Sequence, residues 1–115
     1  DLKMAFKLDS TDHDVIEYLA RSLFELKKYK EALDYMNQLI GMDTDNANYY
    51  DYRALVNKQL ENHEDAIRDY QVSLSLYPDD CKIHEYLGDL YTLIDKKDKA
   101  KVSYQKSKSM GCEDE

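Results

Sequence analysis

Three histidines and a dense set of carboxylates are the residues of this 115-residue chain that could do acid–base or metal chemistry. Their tightest grouping is Glu61-Asn62-His63-Glu64-Asp65. Consecutive residues at a helix start point in different directions, so this run reads as a solvated turn and not as a metal or general-acid cluster. HExxH is absent, no Ser/His/Asp or Cys/His grouping is present, and three glycines leave little for a phosphate-cradling loop. No catalytic residue, metal ligand or cofactor is therefore expected, and the chain does not read as an enzyme. Two ladders suggest binding instead: an acid recurs at Glu17, Asp51 and Glu85, and a tyrosine recurs beside it at Tyr18, Tyr52 and Tyr86. Carboxylates steer and register a cationic partner, while tyrosine offers rigid contact area and a hydroxyl.

The ladders follow a spacing that runs through the whole chain. A shift of 34 residues superimposes Ala32, Ala66 and Ala100, then Ala20, Ala54 and Gly88, then Met36, Tyr70 and Tyr104, with no insertion. Each 34-residue unit reads as two helices. In the first unit, Ile16, Leu19, Ala20 and Leu23 form one apolar stripe at helical spacing, and Ala32, Leu33, Met36, Leu39 and Ile40 form another. Helices are expected near 13–26, 29–42, 47–60, 63–76, 81–94 and 97–110. Thr11-Asp12, Asp45-Asn46 and Asp79-Asp80 supply side-chain oxygens for the free N–H groups of first turns. Pro78 stops the helix before it, because it lacks an N–H and restricts its predecessor.

Composition limits the partners. Sixteen Lys and Arg against 24 Asp and Glu give a net charge of −8, which repels nucleic-acid phosphate and anionic membrane alike. No apolar run approaches a membrane span of about 18 residues, so neither nucleic acid nor membrane insertion is expected. The acid is uneven: residues 47–80 carry seven acids and three bases, whereas residues 81–115 carry seven of each. Cys81 and Cys112 lack CxxC spacing and are expected as free thiols. No basic-then-apolar leader is visible at Asp1, and the cytoplasm is the expected compartment.

A 34-residue helix–turn–helix with small residues at Ala20, Ala54, Gly88 and Ala32, Ala66, Ala100 resembles the tetratricopeptide repeat. Leu87-Gly88, Tyr91 and Ala100-x₃-Tyr104 carry the likeness best, while His84 stands where the pattern has Trp and Cys112 where it has Pro. The resemblance implies an all-α solenoid of antiparallel helix pairs in a right-handed superhelix. Its expected divisions are 1–12, the tail helix of a preceding repeat, then units 13–46, 47–80 and 81–115. A cut helix at the start suggests a fragment of a longer array. In this register Arg53 replaces the leucine of Leu19 and Leu87, at a site that should be partly buried. Only the second unit offers an acid at the facing place, Asp69, so an Arg53–Asp69 ion pair between its helices is expected.

First helices of this family line the concave face, where peptides dock. The stripe opposite the buried one holds Glu17, Tyr18 and Arg21, then Asp51, Tyr52 and Leu55, then Lys82, Glu85, Tyr86 and Asp89. The expected function is a non-enzymatic scaffold whose acidic, tyrosine-lined groove binds a protein or peptide rich in basic and apolar side chains. The alternative is a structural spacer or self-association module within a larger multidomain protein. The clamp that grips chaperone C-terminal carboxylates needs bases and Asn on this stripe. Glu17, Arg21, Tyr52 and Tyr86 occupy those places and only Lys82 fits, so chaperone tails are not expected ligands. A helical-repeat RNA reader is disfavoured by the acidic stripe.

Overall fold

A computed structural model describes residues 13–111. Six helices follow one another: α1 His13–Glu25, α2 Tyr29–Met42, α3 Ala47–Gln59, α4 His63–Leu76, α5 Cys81–Leu93 and α6 Lys97–Ser109. The chain is an all-α helical-repeat solenoid: no strand occurs among the described residues, and the extensive packing joins helices adjacent in sequence. The expected tail helix over 1–12, with its Thr11-Asp12 cap, lies outside the described residues. Asn46 and Asp80 cap α3 and α5, accepting from the backbone N–H of Asn48 at 3.0 Å and Lys82 at 3.2 Å. The helix before Pro78 ends at Leu76.

Two apolar clusters share α3. Ile16, Ala20, Ala32, Met36, Leu39, Ile40, Tyr49 and Val56 make the first, and Ala54, Ala66, Ile67, Tyr70, Ile83, Leu87 and Leu90 the second. Tyr49 and Val56 thus face one cluster and Ala54 the other, which leaves α3 no wide solvent face. The alanine columns are fully or almost fully buried, as close helix approach requires. Gly88 is the tightest such place: a Cβ built there would lie 2.6 Å from the Tyr104 ring.

The turns inside the pairs repeat a feature that composition hides. Lys27, Glu61 and Asp95, each 34 residues apart, adopt φ of 63°, 64° and 62°. Each left-handed residue lets the next backbone N–H reach back five residues: Lys28 to the Leu23 carbonyl, Asn62 to Asn57 and Lys96 to Tyr91, all at 2.8 Å. Helices commonly end this way, but with glycine at the left-handed position. Here Leu26, Leu60 and Ile94 stop α1, α3 and α5 one residue short of the expected 26, 60 and 94.

Cys81 corrects one expectation: it is disulfide-bonded and not a free thiol. Sequence spacing does not determine the Cα separation on which pairing depends. The chain's other cysteine, Cys112, lies outside the described residues.

Because a left-handed side chain costs about 1 kcal/mol that glycine avoids, Glu61→Gly should raise unfolding stability by about that amount. Urea unfolding checks this, and a fall in the midpoint would contradict the turn geometry.

Candidate functional site

The first-helix stripe is not a uniform surface. Tyr18 on α1 is 59% exposed and Tyr86 on α5 is 39% exposed, whereas Tyr52 on α3 is only partly exposed. Tyr52 is held by an edge contact to the Phe24 ring at 5.5 Å and by the Arg21 guanidinium at 5.5 Å from its ring centre. Arg21 also pairs with Glu17 at 2.8 Å, so Glu17, Arg21 and Tyr52 form one linked group bridging α1 and α3. Tyr86 leans on the buried Tyr70 ring at 5.7 Å. Leu55 and Lys82 are exposed, and Asp89 accepts the Tyr104 hydroxyl across the α5–α6 pair. Glu85 turns toward the far end of the molecule, into a cleft it shares with α6.

Asp51 stands apart electrostatically. One carboxylate oxygen, Oδ1, is buried with no hydrogen-bond partner. Burial holds its carboxyl above the usual range; the Ser73 hydroxyl bond offsets this in part, and the Asp80 charge adds to it. Burial likewise raises the hydroxyl pKa of Tyr52, and raises that of Tyr70 strongly.

Behind the stripe, Arg53 and Asp69 meet in a bidentate pair, Nε to Oδ2 at 3.0 Å and Nη2 to Oδ1 at 2.7 Å. The pair extends further than its two members. Arg53 Nη1 donates to Asn37 Oδ1 at 2.9 Å, reaching α2. Asn57 Nδ2 donates to Asp69 Oδ2 at 3.1 Å, and the guanidinium lies 5.6 Å from the Tyr50 ring centre. Three helices are thereby joined through one guanidinium. Asn37 and Asn57 were absent from the sequence expectation. Asn57 lies four residues after Arg53, on the same helix face, and that spacing was the available signal. Glu61, Asn62, His63, Glu64 and Asp65 line a shallow surface pocket with Arg68 and Ile94, and among the described residues no group of three His, Cys, Asp or Glu could hold a metal.

Residues 14–47 match the tetratricopeptide repeat. Seventy-five residues are 33% identical to human tetratricopeptide repeat protein 7B, covering 65% of this chain and 9% of that protein. Residues 14–47 are a tetratricopeptide repeat, and the array as a whole is similar to tetratricopeptide-repeat proteins. It is also 29% identical over 101 residues to a DnaJ homolog subfamily C member 7 homolog of Dictyostelium discoideum, covering 88% of this chain and 17% of that one. The repeat chain thus spans under a fifth of either relative. Its backbone superposes on MamA (41-end) from Desulfovibrio magneticus with a TM-score of 0.90 over 95% of this chain and 62% of that one. At 22% identity, that likeness speaks for the fold alone.

Two expectations follow from the site. Arg53→Met would leave Asp69, 4% exposed, with its charge only partly compensated. With Arg53 partly open to solvent, the loss should be about 2 kcal/mol, below the roughly 3–5 kcal/mol of a fully buried pair. Adding Asp69→Leu should recover part of it in urea unfolding, and a single-variant loss near zero would show that the pair contributes little. The Asp51 pKa is raised in the folded state, so this carboxyl's contribution is fully present below its unfolded value of 3.8 and is lost as pH rises. Asp51→Asn should therefore be more stable than the parent at pH 7, with the difference shrinking below pH 3.8 in paired melts.

Proposed function

We propose that this tetratricopeptide-repeat chain is a non-enzymatic scaffold that binds a protein or peptide along the first-helix stripe. The observation that carries the reading is Asp51, a carboxylate kept half-buried with one oxygen unpartnered on the stripe that bears Tyr18 and Tyr86. The Ser73 hydroxyl satisfies this acid only in part, and under-satisfied groups concentrate at functional sites. A basic side chain supplies a donor, and exposed Tyr18 supplies the apolar surface beside it. The partner is thus a segment with Lys or Arg next to apolar residues.

Several other classes fit less well. The carboxylate of a chaperone tail would meet Glu17 and Tyr86 where it needs bases. No helix of the described residues is long and apolar enough to cross a membrane. Glu17 and Arg21 set the register of the α1 end, Leu55 and Tyr52 the middle, and Lys82 and Asp89 the α5 end.

Tyr18→Ala tests this reading with least risk to the fold, because Tyr52 and Tyr86 pack on their neighbours. A fluorescent peptide of alternating lysine and leucine should bind the parent chain. Its affinity for Tyr18→Ala should fall by on the order of tenfold, the weight of one aromatic contact residue. Unchanged anisotropy curves would move the site off this stripe.

A further inference from the structure

The helix at the far end of the molecule has the opposite character from the stripe. α6 carries five lysines against one aspartate, while residues 13–80 hold fourteen acids and seven bases. Lys101 and Lys108 occupy the register places of Ile67 and Ile40, which are buried in the earlier units. Here both are exposed and rim, with Lys97, a cleft of about 520 Å³ between α5 and α6. Ala100, Thr92 and the Tyr104 ring lie between them, and Glu85 is the one acid on its lining. Among the described residues, the places that bury apolar side chains in the earlier units are cationic and exposed on α6.

We infer that the occupant of this cleft is a second copy of the chain, whose acidic Tyr18-bearing stripe docks on Lys97, Lys101 and Lys108. The inference rests on the proposed binding stripe and names its partner. That stripe takes lysines set beside apolar groups, and the cleft of the same molecule presents three lysines around Ala100 and Tyr104. Charge complementarity fixes the direction, basic end to acidic stripe, and like ends repel. Such a contact uses two different patches on each copy, so it is heterologous and propagates head to tail unless the geometry closes a ring. Glu85, beside the lysines, limits the attraction and keeps the association reversible.

Sedimentation of the whole chain, with two variants, tests this. The parent should gain mass with concentration at 50 mM salt, and the association should weaken by on the order of tenfold at 500 mM. Lys97→Glu/Lys101→Glu/Lys108→Glu changes only exposed side chains and should stay monomeric with unaltered helical circular dichroism. Glu17→Lys/Tyr18→Lys should also stay monomeric. Mixing the two should restore a one-to-one dimer that grows no further, since each supplies the patch the other lacks. A parent that stays monomeric throughout, a triple variant that still associates, or a mixture that does not pair would overturn the inference. Binding of a synthetic peptide with the sequence of residues 96–110 separates the two readings. Capture of this peptide by a monomeric parent leaves the stripe standing and removes the second copy; no capture and no association removes both.

Discussion

The central helix α3 has to be buried on two sides at once. A helix pair cannot cover both of its faces by itself, so a repeat array is stable only when neighbouring pairs share a continuous core. In this chain Tyr49 and Val56 close one cluster while Ala54 opens the next. That arrangement leaves Arg53, between the two clusters, at a site where most units would place leucine. The bidentate contact to Asp69 and the reach to Asn37 turn this liability into a three-helix link.

Polar groups on the other side of α3 are treated differently. Asp51 lies on the same helix, yet one of its oxygens has no partner. The contrast separates an acid whose two oxygens are both bonded from one that keeps an oxygen without a partner. Tyrosines divide in the same way: Tyr52 is engaged by Phe24 and Arg21, Tyr86 rests on Tyr70, and Tyr18 presents its ring to solvent. A tyrosine ladder that repeats without change is therefore graded in exposure, from the open α1 end to the braced middle.

Charge is distributed along the solenoid axis and not spread over its surface. The molecule measures 48 × 27 × 25 Å, with its acid concentrated in the first two units and its lysines on the last helix. At physiological salt, charges separated by more than about 8 Å are largely screened. The two ends therefore act as separate surfaces, each with its own local sign, even though the net charge of −8 describes neither.

Helix order, pair boundaries and the small-residue columns were legible in the sequence, because 34-residue periodicity and helical spacing are properties of residue order alone. The meeting of Arg53 with Asp69 was legible too, since only one unit offered both a misplaced base and a matching acid. The left-handed turns at Lys27, Glu61 and Asp95 gave no such signal: the usual mark is glycine, and three different side chains adopt the conformation instead. The disulfide at Cys81, the Asn37 and Asn57 contacts and the inequality of the three tyrosines were decided by tertiary structure. Residue order determines which side chains recur, whereas burial and pairing depend on distances between helices that no local pattern encodes. Identical tyrosines become anchor, brace or open surface according to what the neighbouring helix happens to place beside them.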